Sequence, residues 1–237
     1  MKKVYIETYG CQMNVNDTEV VFSILAAAGY SRTEDISEAD VIMANTCSIR
    51  DNAEQRIWGR LDQFQTWRKA RPGVYVGILG CMAERLKDAL LDSGKVDIVA
   101  GPDSYRDLPR LVEAVSVSGK QINTLLSHEE TYADIAPVRM DRQGVTALIS
   151  IMRGCNNVCS YCIVPFVRGA ERSRDPHSIV REAEALIASG YKEINLLGQN
   201  VDSYCWRDPA DPAERVDFAR LLERVALLDP KVRVRFA

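Results

Sequence analysis

Histidine is almost missing from this chain: His128 and His177 are the two in 237 residues, and no catalytic triad is evident around either. Both read as ordinary surface residues, and conventional acid-base catalysis has little to work with here. A basic excess is missing as well. Thirty Lys and Arg stand against 33 Asp and Glu, a formal charge of -3, so no overall positive field advertises nucleic acid or an anionic membrane. Any nucleic-acid partner would have to be held by local patches. Long apolar runs are absent too. The longest, near Val20 to Ala28, contains Ser23 and is too short to span a bilayer, and Glu7 interrupts the apolar residues behind Met1-Lys2-Lys3. The expectation is a cytoplasmic protein with no membrane partner. Seven cysteines, an odd number without a secretory signal, favour metal ligation or catalysis over a disulfide framework.

What is present is a weak internal repeat. Residues 2 to 8 alternate like a strand, Cys11 follows, and Asn16 is the expected cap of a helix with Val20, Val21, Ile24, Leu25 and Ala28 on one face. DVIMAN (40–45) reads as a buried strand followed by Cys47 and a helix from about Asp51. VYVGIL (74–79) is followed by Cys81 and a helix through Leu86 and Leu90, and a fourth strand at 97–100 leads to a helix ending near Val115. The steps between cysteines, 36 and 34 residues, are about the length of a βαβ unit. The pattern predicts an α/β fold that opens with a parallel, flavodoxin-like sheet with helices on both faces. Its three cysteines would sit past the carboxyl ends of their strands, where such sheets bind ligands, so residues remote in sequence converge.

Residues 117–144, polar and broken by Gly119, Pro137 and Gly144, are the expected linker between a domain over 1–116 and a second α/β series over 145–237. That series reads as a strand at 145–152, a helix from Pro176 to about Ala188, a strand at 193–197, a helix within 213–228 and a strand at 231–236. A parallel sheet needs both faces covered, and a terminal strand exposing Val232, Val234 and Phe236 invites aggregation. The expectation is therefore a piece of a longer protein.

Between the first strand and helix of the second series lies GCNNVCSYC, with cysteines at 155, 159 and 162. These spacings would align on a helix, but Gly154, Asn156, Asn157 and Ser160 are poor helix formers. A structural zinc site usually pairs C-x2-C motifs, and no second pair exists. Haem attachment needs His after the last cysteine, where Ile163 stands. Three thiolates suit an iron-sulfur cluster with one iron left open for substrate.

At this point the residues resemble a family. Cys155-x3-Cys159-x2-Cys162 on the loop after the first strand of a partial (β/α) barrel is similar to the radical S-adenosylmethionine superfamily. YGCQMNVNDTE (9–19), NTCSIRDNAEQRI (45–57), GILGCMAE (77–84), RGCNNVCSYCIVPFVRGAERSR (153–174) and LLGQNVDSY (196–204) together resemble the methylthiotransferases along essentially the whole chain. The first, second and fifth of these look most like the branch that modifies isopentenyladenosine in tRNA.

The resemblance implies two four-iron clusters, one on Cys155, Cys159 and Cys162 and a second on Cys11, Cys47 and Cys81. It implies S-adenosylmethionine on the open iron of the first, cleaved by an electron to a 5'-deoxyadenosyl radical, and methyl transfer to a sulfur on the second. The substrate C2-H has no usable acidity, which is why cofactors must carry the hard step. Further implied partners are tRNA, a reducing electron donor and a sulfur source, with a completed barrel and an RNA-binding domain beyond residue 237.

Tyr161 is expected near the adenine or packed beside the cluster, and Gln199 and Asn200, at the catalytic edge of the second barrel strand, near cofactor or base. Arg153, Arg168, Arg172 and Arg174 are candidate contacts to phosphate or a substrate carboxylate, or else solvated residues paired with Glu171 and Asp175. Cys205 matches no ligand position. Competing readings are methylthiolation of threonylcarbamoyladenosine or of a ribosomal-protein aspartate, an electron-transfer iron-sulfur protein, and a zinc-binding interaction module.

Overall fold

The structure, a computed structural model, describes the chain except residues 49–50, 141–143 and 212, and gives only the backbone of 51–53. Ile49 and Arg50 of the second motif, and part of the expected linker, lie outside the described residues. The chain divides into two compact units, one of Met1–Ser127 with Phe166–Arg168, the other of His128–Pro165 with Gly169–Ala237.

The first unit runs β1 (Lys3–Thr8), α1 (Gln12–Ala27), β2 (Ser31–Arg32), β3 (Val41–Thr46), α2 (Asp51–Ala70), β4 (Tyr75–Gly80), α3 (Cys81–Leu86), α4 (Asp88–Asp92), β5 (Ile98–Ala100), α5 (Leu108–Ser118) and β6 (Gln121–Asn123). The strands form one sheet in the order β2-β1-β3-β4-β5-β6, parallel at every pairing. This is the flavodoxin-like winding that the repeat predicts. Every residue of β3 is buried, as the run VIMANT requires of a strand covered on both faces. Ile42, Ala44, Val76 and Ile78 join Ile57, Leu61 and Phe64 of α2 in one core, while α1 packs on β1, β3 and α5.

Three details differ from the sequence reading. Helix α1 starts at Gln12 with Cys11 as its N-cap residue, four residues before Asn16, because Asn14, Asn16, Asp17 and Thr18 are buried polar residues rather than a surface start. The helix after Cys81 breaks at Lys87, which takes φ +46°. Gln121–Asn123, placed in the linker, pairs in parallel with β5 as the sixth strand.

The second unit runs β7 (Thr146–Ser150), β8 (Met152–Arg153), α6 (Val164–Arg168, whose last three residues count with the first unit), β9 (Arg172–Ser173), α7 (Pro176–Ala188), β10 (Glu193–Leu197), β11 (Cys205–Arg207), β12 (Arg215–Asp217), α8 (Phe218–Ala226) and β13 (Arg233–Phe236). Strands β7, β10 and β13 form a parallel sheet in the order β13-β10-β7, joined through α7 and α8 as two successive βαβ units. Ile149, Ile194 and Leu196 pack with Ile179, Ala183, Leu186, Leu221 and Val225 in its core. Asp175 caps α7, accepting from the His177 and Ser178 amides at 3.1 and 2.8 Å, and Pro176 at the first position loses no helical bond. Among the described residues no helix is long and apolar enough to cross a membrane.

Candidate metal centre

The first cysteine set is built by the sheet. Strands β1, β3 and β4 are neighbours, and Cys11, Cys47 and Cys81 follow their carboxyl ends, with Cys11 and Cys47 flanking the point where the strand order reverses. Glycine makes the approach possible. Gly10, at φ +131°, would carry a Cβ only 2.6 Å from the Cys47 Cβ, and Gly80, at φ +85°, one 2.5 Å from the Asn45 Oδ1 and 2.6 Å from the Thr46 carbonyl oxygen. A side chain at either position would push the cysteine segments apart.

Beneath them lies a buried amide network. The Asn14 Nδ2 donates to the Asn45 Oδ1 at 3.3 Å and to the Thr46 carbonyl at 3.2 Å, and the Asn45 Nδ2 donates back to the Asn14 carbonyl at 2.9 Å and to the Thr18 hydroxyl at 3.0 Å. The Cys11 thiol donates to the Asn14 Oδ1 at 3.3 Å. With the Thr46 hydroxyl donating to the Leu79 carbonyl at 2.8 Å and the Thr8 and Thr18 hydroxyls 2.8 Å apart, the three strand ends are fixed to one another through side chains that local pattern would leave in solvent.

The second set is built by a loop. Residues 154–163 are non-helical, as the glycine and asparagines require, and the loop is closed at its base by β8 and β9, which pair antiparallel through Met152–Ser173 and Arg153–Arg172. The Cys155 amide donates to the Gly169 carbonyl at 3.2 Å. Gly154, at φ +72°, passes so close to the return strand that a Cβ would lie 2.0 Å from the Ala170 carbonyl oxygen. Within the loop Cys155 is buried, Cys159 exposed and Cys162 half-buried, and all three thiols are free. Tyr161 stands almost fully exposed beside them.

Do these residues fit iron-sulfur clusters? All six thiols are unbridged and gathered at the carboxyl edges of parallel sheets. Among the described residues no three of His, Cys, Asp and Glu are close enough to hold a single ion. The buried side-chain atoms that lack a hydrogen-bond partner among the described residues include the Ser48 Oγ, next to Cys47, and the Gln199 Oε1, just past the end of β10. Buried polar atoms are normally paired, so each is a place where a bound group would supply the missing contact. The donor chemistry and these unpaired polar atoms fit.

Other expected residues are placed differently. Arg153, Arg168, Arg172 and Arg174 are all buried. The Arg153 guanidinium lies 4.9 Å over the Tyr132 ring, Arg168 pairs with Asp17 at 2.9 Å, and Arg172 donates to the Glu130 and Ala170 carbonyls. Arg174 pairs with Glu182 at 2.6 Å and donates to the Ser178 hydroxyl. None is solvated, and the contacts described are with protein groups. Of the two expected carboxylate partners, Glu171 accepts from the Ser203 hydroxyl at 2.5 Å and Asp175 caps α7.

Gln199 and Asn200 are half-buried at the carboxyl edge of β10, Cys205 is a half-buried free thiol on β11, and both histidines are exposed, His177 with its ring edge-on to Trp206. Sequence reasoning missed Asp17, Glu84 and Glu182. It also missed a signal open to it: Gly10, Gly80 and Gly154 each immediately precede a cysteine, and all three have positive φ.

Glu84, three residues after Cys81, is 2% exposed, and its Oε2 has no hydrogen-bond partner among the described residues. Burial pushes its carboxyl above the ordinary value, against the pull of Lys87. In β1, Glu7 accepts from Arg60 and from the Tyr5 and Tyr9 hydroxyls. Burial would raise the Glu7 pKa, but these donors outweigh it and lower it, while burial and the Glu7 carboxylate push Tyr9 up to about 12.

Comparison with known proteins follows this two-part plan. A model described as "Uncharacterized protein family UPF0004" matches residues 3–101, and that of the Radical SAM superfamily matches residues 149–237. A tRNA-2-methylthio-N(6)-dimethylallyladenosine synthase from Amoebophilus asiaticus is 55% identical, over 100% of this chain and 50% of its own length. The enzyme of that name from Bacteroides thetaiotaomicron is 54% identical, over 99% of this chain and 51% of its own. The chain spans about half the length of the curated relatives it matches. A solved structure of the radical S-adenosylmethionine methyltransferase TsrM from Kitasatospora setae superposes with a TM-score of 0.65 at 14% identity, covering 99% of this chain and 54% of that one, a likeness of fold alone. With both models in this order and more than half of its residues shared with these relatives, the chain belongs to the radical S-adenosylmethionine methylthiotransferase family.

Proposed function

We propose that this chain supplies the cofactor-bearing part of an enzyme that transfers a methylthio group to C2 of N6-isopentenyladenosine next to the tRNA anticodon. The observation that carries the reading is the doubling of the cysteine set: three thiols on adjacent strand ends of one unit and three on a single loop of the other. A single cluster would suffice for electron transfer. Two sets of three, each one ligand short of a closed cluster, leave an open position for S-adenosylmethionine on one and for sulfur on the other. The names of the relatives support the substrate, and the overall acidic charge supports placing the tRNA-gripping surface in the part of their length that this chain does not span.

In this reading Cys155, Cys159 and Cys162 hold the cluster that binds S-adenosylmethionine, and Cys11, Cys47 and Cys81 hold the second. Bound there, these groups supply the one-electron and methyl-transfer chemistry that an inert C-H bond needs. The protein's own residues fix and shield. The Gly154 turn and the Cys155 amide set the loop, and the Asn14-Asn45 network sets the spacing of the other three strand ends. Gln199 offers an unused acceptor at the barrel edge, and Asn200 and the exposed Tyr161 are the other residues assigned to S-adenosylmethionine. Reduction comes from an external electron donor, and sulfur is replenished by an external source.

The test uses the full-length protein, anaerobically reconstituted, with S-adenosylmethionine, a reductant, a sulfur source and isopentenylated tRNA, followed by mass analysis of digested nucleosides. A nucleoside gaining methylthio in place of hydrogen is the expected result. Formation of 5'-deoxyadenosine with unchanged tRNA would move the substrate to threonylcarbamoyladenosine or a protein aspartate.

A further inference from the structure

The first unit buries an ion pair that the chemistry described so far leaves unused. Asp17, 0% exposed, lies in α1, less than two turns after Cys11, the residue that caps that helix. Its carboxylate accepts from Arg168 at 2.9 Å, and the Tyr105 hydroxyl lies at 3.4 Å from the same oxygen. Arg168 is 4% exposed and counts with this unit. A buried pair is an expensive device, since both ions are taken out of water and well-packed apolar residues often serve stability as well or better. Its position just behind the cysteine edge gives it another use.

We propose that Arg168, oriented by Asp17, is a positioning residue that sets the reduction potential of the cluster held by Cys11, Cys47 and Cys81. The inference rests on the reading of those cysteines as cluster ligands. A fixed positive charge in a poorly hydrated site favours whichever state of a nearby group carries more negative charge, and reduction adds negative charge. The pair is tied to the cysteine edge by geometry: Asp17, which holds the guanidinium at 2.9 Å, lies on the helix that Cys11 caps. Asp17 holds the guanidinium in place and offsets part of its field, so the two members of the pair act on the cluster with opposite sign.

That opposition gives the test. In full-length protein with Cys155, Cys159 and Cys162 replaced by Ala, so that only the second cluster is loaded, iron and sulfide are counted and the midpoint potential is followed by electron paramagnetic resonance. Arg168→Gln is expected to move the midpoint to more negative values and Asp17→Asn to more positive values, with Arg168→Lys close to the parent and iron content unchanged in all. General loosening of the site would not give opposite signs from the two ends of one bond. Unchanged midpoints, shifts in the same direction, or loss of iron on replacing Arg168 alone would overturn the proposal. If the parent with intact Arg168 holds no iron, the assignment of Cys11, Cys47 and Cys81 fails, and the proposal falls with it for that separate reason.

Discussion

The two cysteine sets are placed by opposite routes. Cys155, Cys159 and Cys162 lie within eight residues, and the loop that carries them is closed at its neck by β8, β9 and one backbone hydrogen bond. Cys11, Cys47 and Cys81 are 36 and 34 residues apart and meet only because β1, β3 and β4 are adjacent in a finished sheet. The local set needs a neck. The dispersed set needs a fold, and the buried amides and glycines beneath it exist to keep three strand ends in register. A local site therefore survives damage elsewhere, whereas a dispersed one reports on the whole sheet.

Glycine substitutions should break both most severely. Gly154→Ala would place a Cβ 2.0 Å from a main-chain oxygen that cannot rotate away, at φ +72°, and Gly80→Ala one 2.6 Å from the Thr46 oxygen at φ +85°. Each should cost about 4 kcal/mol or more in urea unfolding of its unit. Gly29→Ala, also at positive φ but with nothing within 4 Å, should cost about 1 kcal/mol. Comparable losses at all three would show that backbone strain, not crowding, governs the sites.

Next comes Glu182, which binds both Arg174 and Arg139 in the unit that carries the cysteine loop. Glu182→Ala leaves two buried guanidinium groups without their carboxylate, and a loss of about 3 kcal/mol is expected by chemical denaturation. Iron bound by Cys11, Cys47 and Cys81 should be unaffected at temperatures where the protein stays folded.

Replacing either cysteine triplet by Ala should remove about half of the iron from reconstituted protein while costing little stability, about 1 kcal/mol or less per exposed position. Cys205→Ala should leave iron unchanged. Equal iron in the Cys11, Cys47 and Cys81 triple variant and its parent would end the two-cluster reading.

The smallest effect concerns pH. Because the Glu84 carboxyl is raised in the folded state, folded protein binds more protons than unfolded protein once pH passes the ordinary value of 4.5. Stability from this group is full below that value and declines as pH rises through the folded value. Glu84→Gln should flatten that decline in thermal melts taken from acid to neutral pH. An unchanged slope would assign the pH dependence to other groups.

Much of the framework was legible in sequence because apolar runs and strand-cysteine-helix order report directly on a parallel sheet. The expected strands all formed, and α7 begins and ends where Pro176 and Ala188 place it. What escaped was polar structure. Asn14, Asn16, Asp17 and Thr18 look like a solvated helix start, yet they are buried because their partners lie elsewhere in the chain, on β3 and beside Arg168. No local pattern carries that information.

The burial of the four arginines around the cysteine loop escaped for the same reason, since they meet Asp17, Glu182, carbonyl groups and a tyrosine ring. Only Arg174, Ser178 and Glu182, spaced by four, hinted at their pairing. Strands of two or three residues, such as β6, β8, β9 and the β11-β12 pair, are too short for alternation to be visible.

The neck of the cysteine loop has one more consequence. Its closing bond runs from the Cys155 amide to the Gly169 carbonyl, main chain to main chain, with Asn156 adding a single side-chain bond to the Glu171 amide. The exposed side chains of Val158 and Tyr161 therefore take no part in that closure, and exchanging them separates the design of what the loop recognises from the design of what holds it shut.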